Sequence, residues 1–102
     1  LDGPVVDLVI RFYDEYNVVK KVLRETAHRR NRRIVREEGS ILYCDRIRGL
    51  TEIAPWIRGF GSSAVVLEPA ELREDMIRGA RWVLERHTRA ARSLSRGTGG
   101  NE

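Results

Sequence analysis

Hydrophobic and polar positions alternate along residues 5–13 of the chain. Successive side chains on a strand point to opposite faces of a sheet, so this alternation predicts a half-buried β-strand. Its buried face would hold Val6, Leu8, Ile10 and Phe12, and its exposed face would hold Asp7 and Arg11.

The hydrophobic period then changes to three and four residues, which is typical of an amphipathic helix. Asp14 is placed to cap this helix, and Glu15 would lie in its first turn, where the helix dipole favours a carboxylate. We expect the helix to run to about Thr26. Its apolar face would be made of Tyr16, Val19, Val22 and Leu23.

A basic connection, HRRNRR, leads from this helix into two further strands. Residues 33–37 and 40–47 are rich in β-formers, and the turn chemistry of Glu38-Gly39-Ser40 predicts that they form a hairpin. Asp45 places a charge in the second of these strands. A pairing with Arg11 or Arg46 is one explanation for it.

A second helix is expected after Thr51, which is placed to cap it. Gly59 and Gly61 would end this helix, because glycine adopts the positive φ that helix ends often require. Its apolar face would hold Ile53, Trp56, Ile57 and Phe60.

Residues 63–67 form a short apolar run that predicts a fourth strand. Pro69 then suits the first position of a third helix, since its missing N–H is not needed there. The apolar stripe of this third helix would consist of Leu72, Met76, Ala80, Val83, Leu84 and His87.

The predicted elements follow the order β-α-β-β-α-β-α, and the first six make the ferredoxin-like, or split βαβ, pattern. We therefore expect an α+β sandwich with a four-stranded antiparallel sheet and two helices on one face. The additional C-terminal helix must pack back on the domain or against a partner. The predicted domain covers residues 1–96, and residues 97–102 are expected to form a flexible tail.

Composition agrees with one globular domain, because the 102 residues are 41% hydrophobic and 33% charged with both signs mixed. The single cysteine, Cys44, cannot form an internal disulfide, which favours a reducing and hence cytoplasmic location. No stretch approaches the roughly 18 apolar residues that span a bilayer. The net charge of +4 permits a nucleic-acid partner but does not require one.

Residues that could support catalysis are sparse. His28 and His87 are the only histidines, and Cys44 has no evident base beside it in the sequence. The chain contains no glycine-rich phosphate loop, metal-ligand spacing or nucleophile elbow. We therefore expect no enzyme activity and no metal or cofactor.

Arginines crowd the connection after the first helix and the strand that follows it. No acidic residue interrupts them before Glu37, and guanidinium groups this close together can bind phosphate groups. A solvated loop and a contact to another domain are the alternatives. The candidate ligand or nucleic-acid binding residues are Arg29, Arg30, Arg32, Arg33 and Arg36.

A second basic stripe lies near the end of the third helix. The helix dipole alone makes cations favourable there, and an anionic partner is the alternative explanation. The stripe consists of Arg86, Arg89, Arg92 and Arg96.

The order and spacing of several short motifs are distinctive. They run from the Trp56–Gly61 segment (WIRGFG) through the strand ending in Leu67-Glu68-Pro69 to Leu72-Arg73. This series resembles the signature of the WYL C-terminal extension (WCX) domain of bacterial transcriptional regulators. The matching signature residues are Trp56, Phe60, Gly61, Leu67, Glu68, Pro69, Leu72 and Arg73.

The resemblance implies a ferredoxin-like fold and a place at the end of a longer chain. In such regulators an N-terminal helix-turn-helix domain binds DNA and a middle WYL domain senses a nucleic-acid or nucleotide effector. The C-terminal domain contributes to homodimerisation and completes the sensor. A stand-alone ferredoxin-like sensor of a small molecule or nucleotide, and a small enzyme or enzyme accessory domain, are the alternatives.

Overall fold

The computed structural model describes residues 3–100, with side chains described for residues 3–96. A short 3-10 turn at Gly61–Ser63 precedes the last strand. The main elements are β1 (Val5–Tyr13), α1 (Val18–Glu25), β2 (Arg33–Glu37), β3 (Ser40–Arg48), α2 (Ile53–Arg58), β4 (Ala64–Glu68) and α3 (Ala70–Gly100).

The four strands form one antiparallel sheet in the order β2-β3-β1-β4. Strand β1 is central and pairs with β3 along its whole length, from Val5 opposite Arg48 to Tyr13 opposite Ser40. This strand order and the two helices on one face are ferredoxin-like. The predicted α+β fold with an additional C-terminal helix is confirmed.

The hydrophobic core lies between one face of the sheet and the helices α1 and α2. Leu8, Ile10 and Phe12 of β1 are fully buried there, which is the face that the alternation predicts. The neighbouring strands and the helices complete the same core with Ile41, Tyr43, Val66, Val18, Val22 and Ile57.

Helix α1 begins three residues later than the sequence predicts. The Asp14 N–H donates to the Gly39 carbonyl oxygen at 3.0 Å, which ties this residue to the β2–β3 turn. Tyr16 and Asn17 then adopt positive φ values of 52° and 61°, so the helix starts only at Val18. The prediction that Tyr16 belongs to the apolar face is wrong, because its side chain is 88% exposed.

Helix α2 ends before Gly59 as predicted, but it starts differently, and the role of Gly59 is not the one expected. Glu52, and not Thr51, is the residue that precedes the helix, and no side chain caps it; the Leu50 carbonyl oxygen accepts from the Ala54 N–H instead. Gly59 has an ordinary helical φ of −63°, so positive φ is not its role. A Cβ there would lie 3.3 Å from the Trp56 carbonyl oxygen, and this close approach favours glycine.

Helix α3 starts at Ala70, directly after Pro69, and only its first turns pack on the domain. Leu72 is buried and Met76 is partly buried against the core, whereas Val83 and Leu84 are 57% and 69% exposed. A helix of 31 residues is about 46 Å long, and the molecule accordingly measures 60 × 31 × 20 Å. The predicted apolar stripe is therefore buried only at its N-terminal end.

Helix α3 continues to Gly100. The sequence predicts a flexible tail for residues 97–102. The side chains of residues 97–100, and residues 101–102 altogether, lie outside the described part of the chain. The tail stays a prediction. Within the described residues, no helix combines the length and the apolar composition that a membrane span requires.

Candidate functional site

A buried carboxylate lies at the end of the sheet where the two covering helices leave it open. Asp45 lies on the core-facing side of β3, as Tyr43 does. Although its side chain carries a charge, it is only 1% exposed. Its Oδ2 atom accepts from the Tyr43 hydroxyl at 2.5 Å and from Arg29 Nε at 2.8 Å. Its Oδ1 atom accepts from the Arg46 N–H at 2.7 Å.

This arrangement corrects the expected partners of Asp45. Arg11 pairs with Glu37 and Arg46 pairs with Asp7, both near the surface, so neither guanidinium group reaches the buried carboxylate. Arg46 contributes only its backbone N–H. Arg29 reaches it from the connection after α1. The sequence places a charged residue at a position of β3 whose side chain faces the core. A buried charge needs a partner, so this position indicates that a partner exists. The partner itself is 16 residues away and has no sequence signal.

The pKa values of the cluster follow from burial and hydrogen bonding. Burial is the largest influence on the pKa of Asp45 and raises it, but the bonds from Arg29, Tyr43 and the Arg46 N–H together outweigh burial and hold it below 3.8. Burial, and then the bond to Asp45, raise the pKa of Tyr43 above 10.0. The bond to Asp45 raises the pKa of Arg29, so the cluster is an ionised pair with a neutral tyrosine.

The alkaline stability of the protein should depend on Tyr43. Because its pKa is higher in the folded than in the unfolded chain, its contribution is complete below pH 10.0 and is lost as the pH rises above that value. We expect the free-energy difference between wild type and Tyr43→Phe to shrink above pH 10.0 in urea unfolding. Parallel alkaline profiles would contradict this interpretation.

Two of the five candidate arginines serve the fold itself. Arg29 holds Asp45 and also donates from Nη2 to the Arg46 carbonyl oxygen at 3.3 Å. Arg32 donates from Nη1 to the Leu23 carbonyl oxygen at 3.0 Å and to Thr26 Oγ1 at 3.1 Å. A cation at this position satisfies the free carbonyl groups at the end of α1.

The side chains of the other three candidate arginines make no hydrogen bond or ion pair in the described part of the chain. Arg30 is exposed in the connection, and Arg33 and Arg36 are exposed on the edge strand β2. Arg33 lies opposite Cys44 and Arg36 opposite Ile41, which places them on opposite faces of the sheet. The structure therefore does not bring the five arginines into one patch.

Three residues of the sequence signature fix α2 on the sheet. Trp56 and Phe60 pack edge-on against Phe12, with ring centroids at 5.8 and 5.1 Å. The Trp56 indole N–H donates to Glu25 Oε1 at 2.9 Å and so connects α2 to α1. Gly61 has a φ of +58°, which permits the turn into β4.

The remaining signature residues join β4 to α3. Arg73 Nη1 donates to the Leu67 carbonyl oxygen at 2.7 Å, and the Pro69 carbonyl oxygen accepts from the Arg73 N–H. Leu72 is 2% exposed and anchors the helix in the core. Glu68 is the exposed last residue of β4. These contacts fix the direction in which α3 leaves the domain.

The apolar side of α3 beyond Met76 is uncovered. Val83, Leu84 and His87 continue the side of the helix that begins with Leu72, and all three are exposed. Arg89, Arg92 and Arg96 lie on the opposite side, whereas Arg86 lies one turn after Val83, beside the apolar side. Arg86 lies over the ring of the exposed Trp82 at 5.2 Å, and Arg89 pairs with Glu85 at 2.8 Å.

Residues with potential reactivity are dispersed. His87 Nδ1 is hydrogen-bonded to the Val83 carbonyl oxygen within its own helix. Cys44 is a free, partly buried thiol on the sheet face away from the helices. Within residues 3–100, no group of three or more histidine, cysteine, aspartate or glutamate side chains is arranged to hold a metal ion.

Comparison with known proteins identifies the family. The family model described as the WCX domain matches residues 4–84, which are the four strands, α1, α2 and the first half of α3. No curated protein sequence matches the chain. Since the matched region covers most of the 102 residues, the chain belongs to the WCX domain family.

Proposed function

We propose that this chain is the C-terminal regulatory and dimerisation module of a WYL-type helix-turn-helix transcriptional regulator in the bacterial cytoplasm. Membership of the WCX family supports its place in such a regulator. In this proposal, DNA binding belongs to the N-terminal domain of the same chain. The C-terminal domain is not an enzyme.

The observation that carries the dimerisation proposal is the uncovered apolar side of α3. It continues from the buried Leu72 through Val83 and Leu84, which are mostly exposed. An apolar helix side gains free energy only when another surface covers it. Because Arg89, Arg92 and Arg96 lie on the opposite side, two copies can pair through Val83 and Leu84 while these positive charges face outwards.

Leu84→Glu should weaken self-association at least about tenfold, since it places a charge in the proposed apolar interface. Trp82→Glu is the matched control. Trp82 is 56% exposed on the same helix but two residues away, so it points to the other side. Sedimentation equilibrium of the two variants and the wild type is the measurement. A monomeric wild type, or equal effects of the two changes, would contradict the proposal.

The partner-free arginines Arg30, Arg33 and Arg36 support a second part of the proposal, a contact with a nucleic-acid or nucleotide effector. They lie around both faces of the edge strand β2. A flexible single-stranded nucleic acid can follow such an arrangement better than a flat surface can. Contacts from arginine to phosphate would make the binding depend strongly on salt.

The combined substitution Arg30→Glu and Arg33→Glu should weaken binding of a labelled single-stranded oligonucleotide. Fluorescence anisotropy at several salt concentrations should show a salt slope smaller by about one to two, because two phosphate contacts are lost. The combined substitution Arg89→Glu and Arg92→Glu makes the same change of charge on α3. Equal losses in the two double variants would indicate an effect of net charge alone and would argue against the effector contact.

A further inference from the structure

An open cleft of about 660 Å³ lies at the end of the sheet, between β3 and the helix layer. Its volume is within the range of small-molecule sites in proteins. The buried Tyr43–Asp45–Arg29 cluster forms part of its lining. Neither the regulator role nor dimerisation assigns a purpose to this cleft.

Two arginines and the Asp45 carboxylate line the sheet side of the cleft. Arg29 is held there by Asp45 and the Arg46 carbonyl oxygen through Nε and Nη2, and its Nη1 makes no hydrogen bond to the described residues. Arg48, at the end of β3, is exposed and makes no hydrogen bond or ion pair in the described part of the chain. An anionic group of a ligand would find two guanidinium donors here.

The helix side of the cleft carries carboxylates. Glu25, at the end of α1, accepts from the Trp56 indole with Oε1, so Oε2 can accept from a ligand. Glu52, directly before α2, is exposed and has no partner among the described residues. A group that donates hydrogen bonds and carries positive charge is the complement of these two carboxylates.

Apolar surface separates the two charged sides. Ile47 of β3, and Ile53 and Trp56 of α2, are partly buried against the core and line the cleft between the cations and the carboxylates. A ligand that fits all three parts carries an anionic group, a cationic amino group and an apolar portion.

We propose that this cleft binds a small zwitterion of the amino-acid type. The ligand carboxylate would accept from Arg29 and Arg48, and its ammonium group would donate to Glu25 and Glu52. Its side chain would pack on Ile53 and Trp56. A free amino acid and the two ends of a short peptide share this chemistry, and the experiment distinguishes them.

The test uses the fluorescence of Trp56 in a Trp82→Phe background, where it is the only tryptophan of the chain. The probes are L-leucine, L-phenylalanine and the dipeptide of two leucines, each also with an acetylated amino group and with an amidated carboxyl group. The same titrations are followed by the shifts of backbone amides in NMR, so that binding without a fluorescence change is still detected.

We expect saturable binding of at least one free probe, and about tenfold weaker binding when either end is blocked, because each block removes a charge-assisted hydrogen bond. Binding of the free amino acids, or of the dipeptide alone, identifies which source of the zwitterion fits. Arg48→Gln and Glu52→Gln should each weaken binding about tenfold. Arg24→Gln is the matched control and should leave binding unchanged, because Arg24 is exposed on α1 and does not line the cleft.

Three results would overturn the proposal. One is the absence of saturable binding by either readout at millimolar concentrations of every probe. Another is equal binding of free and blocked probes, which would show an apolar site. The third is competition by inorganic phosphate as strong as that of the zwitterion, which would show a simple anion site. None of these results bears on self-association, whose test is independent.

Discussion

Phe12→Ala is expected to lower the free energy of unfolding by about 4 kcal/mol, the range found for large-to-small changes in a core. Phe12 is fully buried near the C-terminal end of β1. Its ring packs edge-on against Tyr43, Trp56 and Phe60, with centroids between 5.1 and 6.2 Å away. Each such aromatic pair adds to the stabilisation that burial provides.

Urea unfolding followed by circular dichroism measures this loss. Small domains are stable by only about 5–15 kcal/mol, so Phe12→Ala could leave too little folded protein. Phe12→Leu keeps most of the buried volume and should cost about 1–2 kcal/mol, which keeps the comparison measurable. Tyr13→Ala is the control, because Tyr13 is the next residue but lies 39% exposed on the opposite face. A loss in Phe12→Ala no larger than in this control would contradict the proposed core.

Asp45→Ala is expected to have the next largest effect, a loss of about 2–3 kcal/mol. The change removes the acceptor of two side chains at once, the hydroxyl group of Tyr43 and the guanidinium group of Arg29. A buried donor without a partner costs about 1–3 kcal/mol. Arg29 is about one-third exposed, so water can replace its lost bond in part, and the effect stays below that of breaking a fully buried ion pair.

Asp7→Ala is the matched control for this prediction. Asp7 also pairs with an arginine, Arg46 at 3.2 Å, but its side chain is 70% exposed, and exposed pairs contribute little. Thermal unfolding should therefore separate the two variants clearly. If they unfold at the same temperature, the buried cluster does not stabilise the fold in the way its geometry indicates.

The first strand and the β2–β3 hairpin show how much of the fold the sequence predicts. A period of two identifies β1 to the residue, because alternate burial is a local property of a strand in a sheet. Turn chemistry at Glu38-Gly39 identifies the hairpin for the same local reason. The order of these elements then leaves the ferredoxin-like arrangement as the natural way to cover one sheet face.

The sequence predicts less of the candidate site than of the fold. The five arginines look alike in the sequence, yet Arg29 and Arg32 bond within the domain while Arg30 makes no described bond. Which arginine meets Asp45 depends on where the connection after α1 crosses the end of the sheet. No local pattern encodes that crossing, because it joins residues that are distant in the chain.

The sequence by itself determined the family, the strand pattern and the sheet face that becomes the core, since each depends on the spacing of neighbouring side chains. Tertiary structure decided the rest. The positive φ of Tyr16 and Asn17 delays the start of α1, and only the first turns of α3 are buried against the domain. Such features depend on contacts between residues that are distant in the chain, and the pattern of neighbouring residues does not specify those contacts.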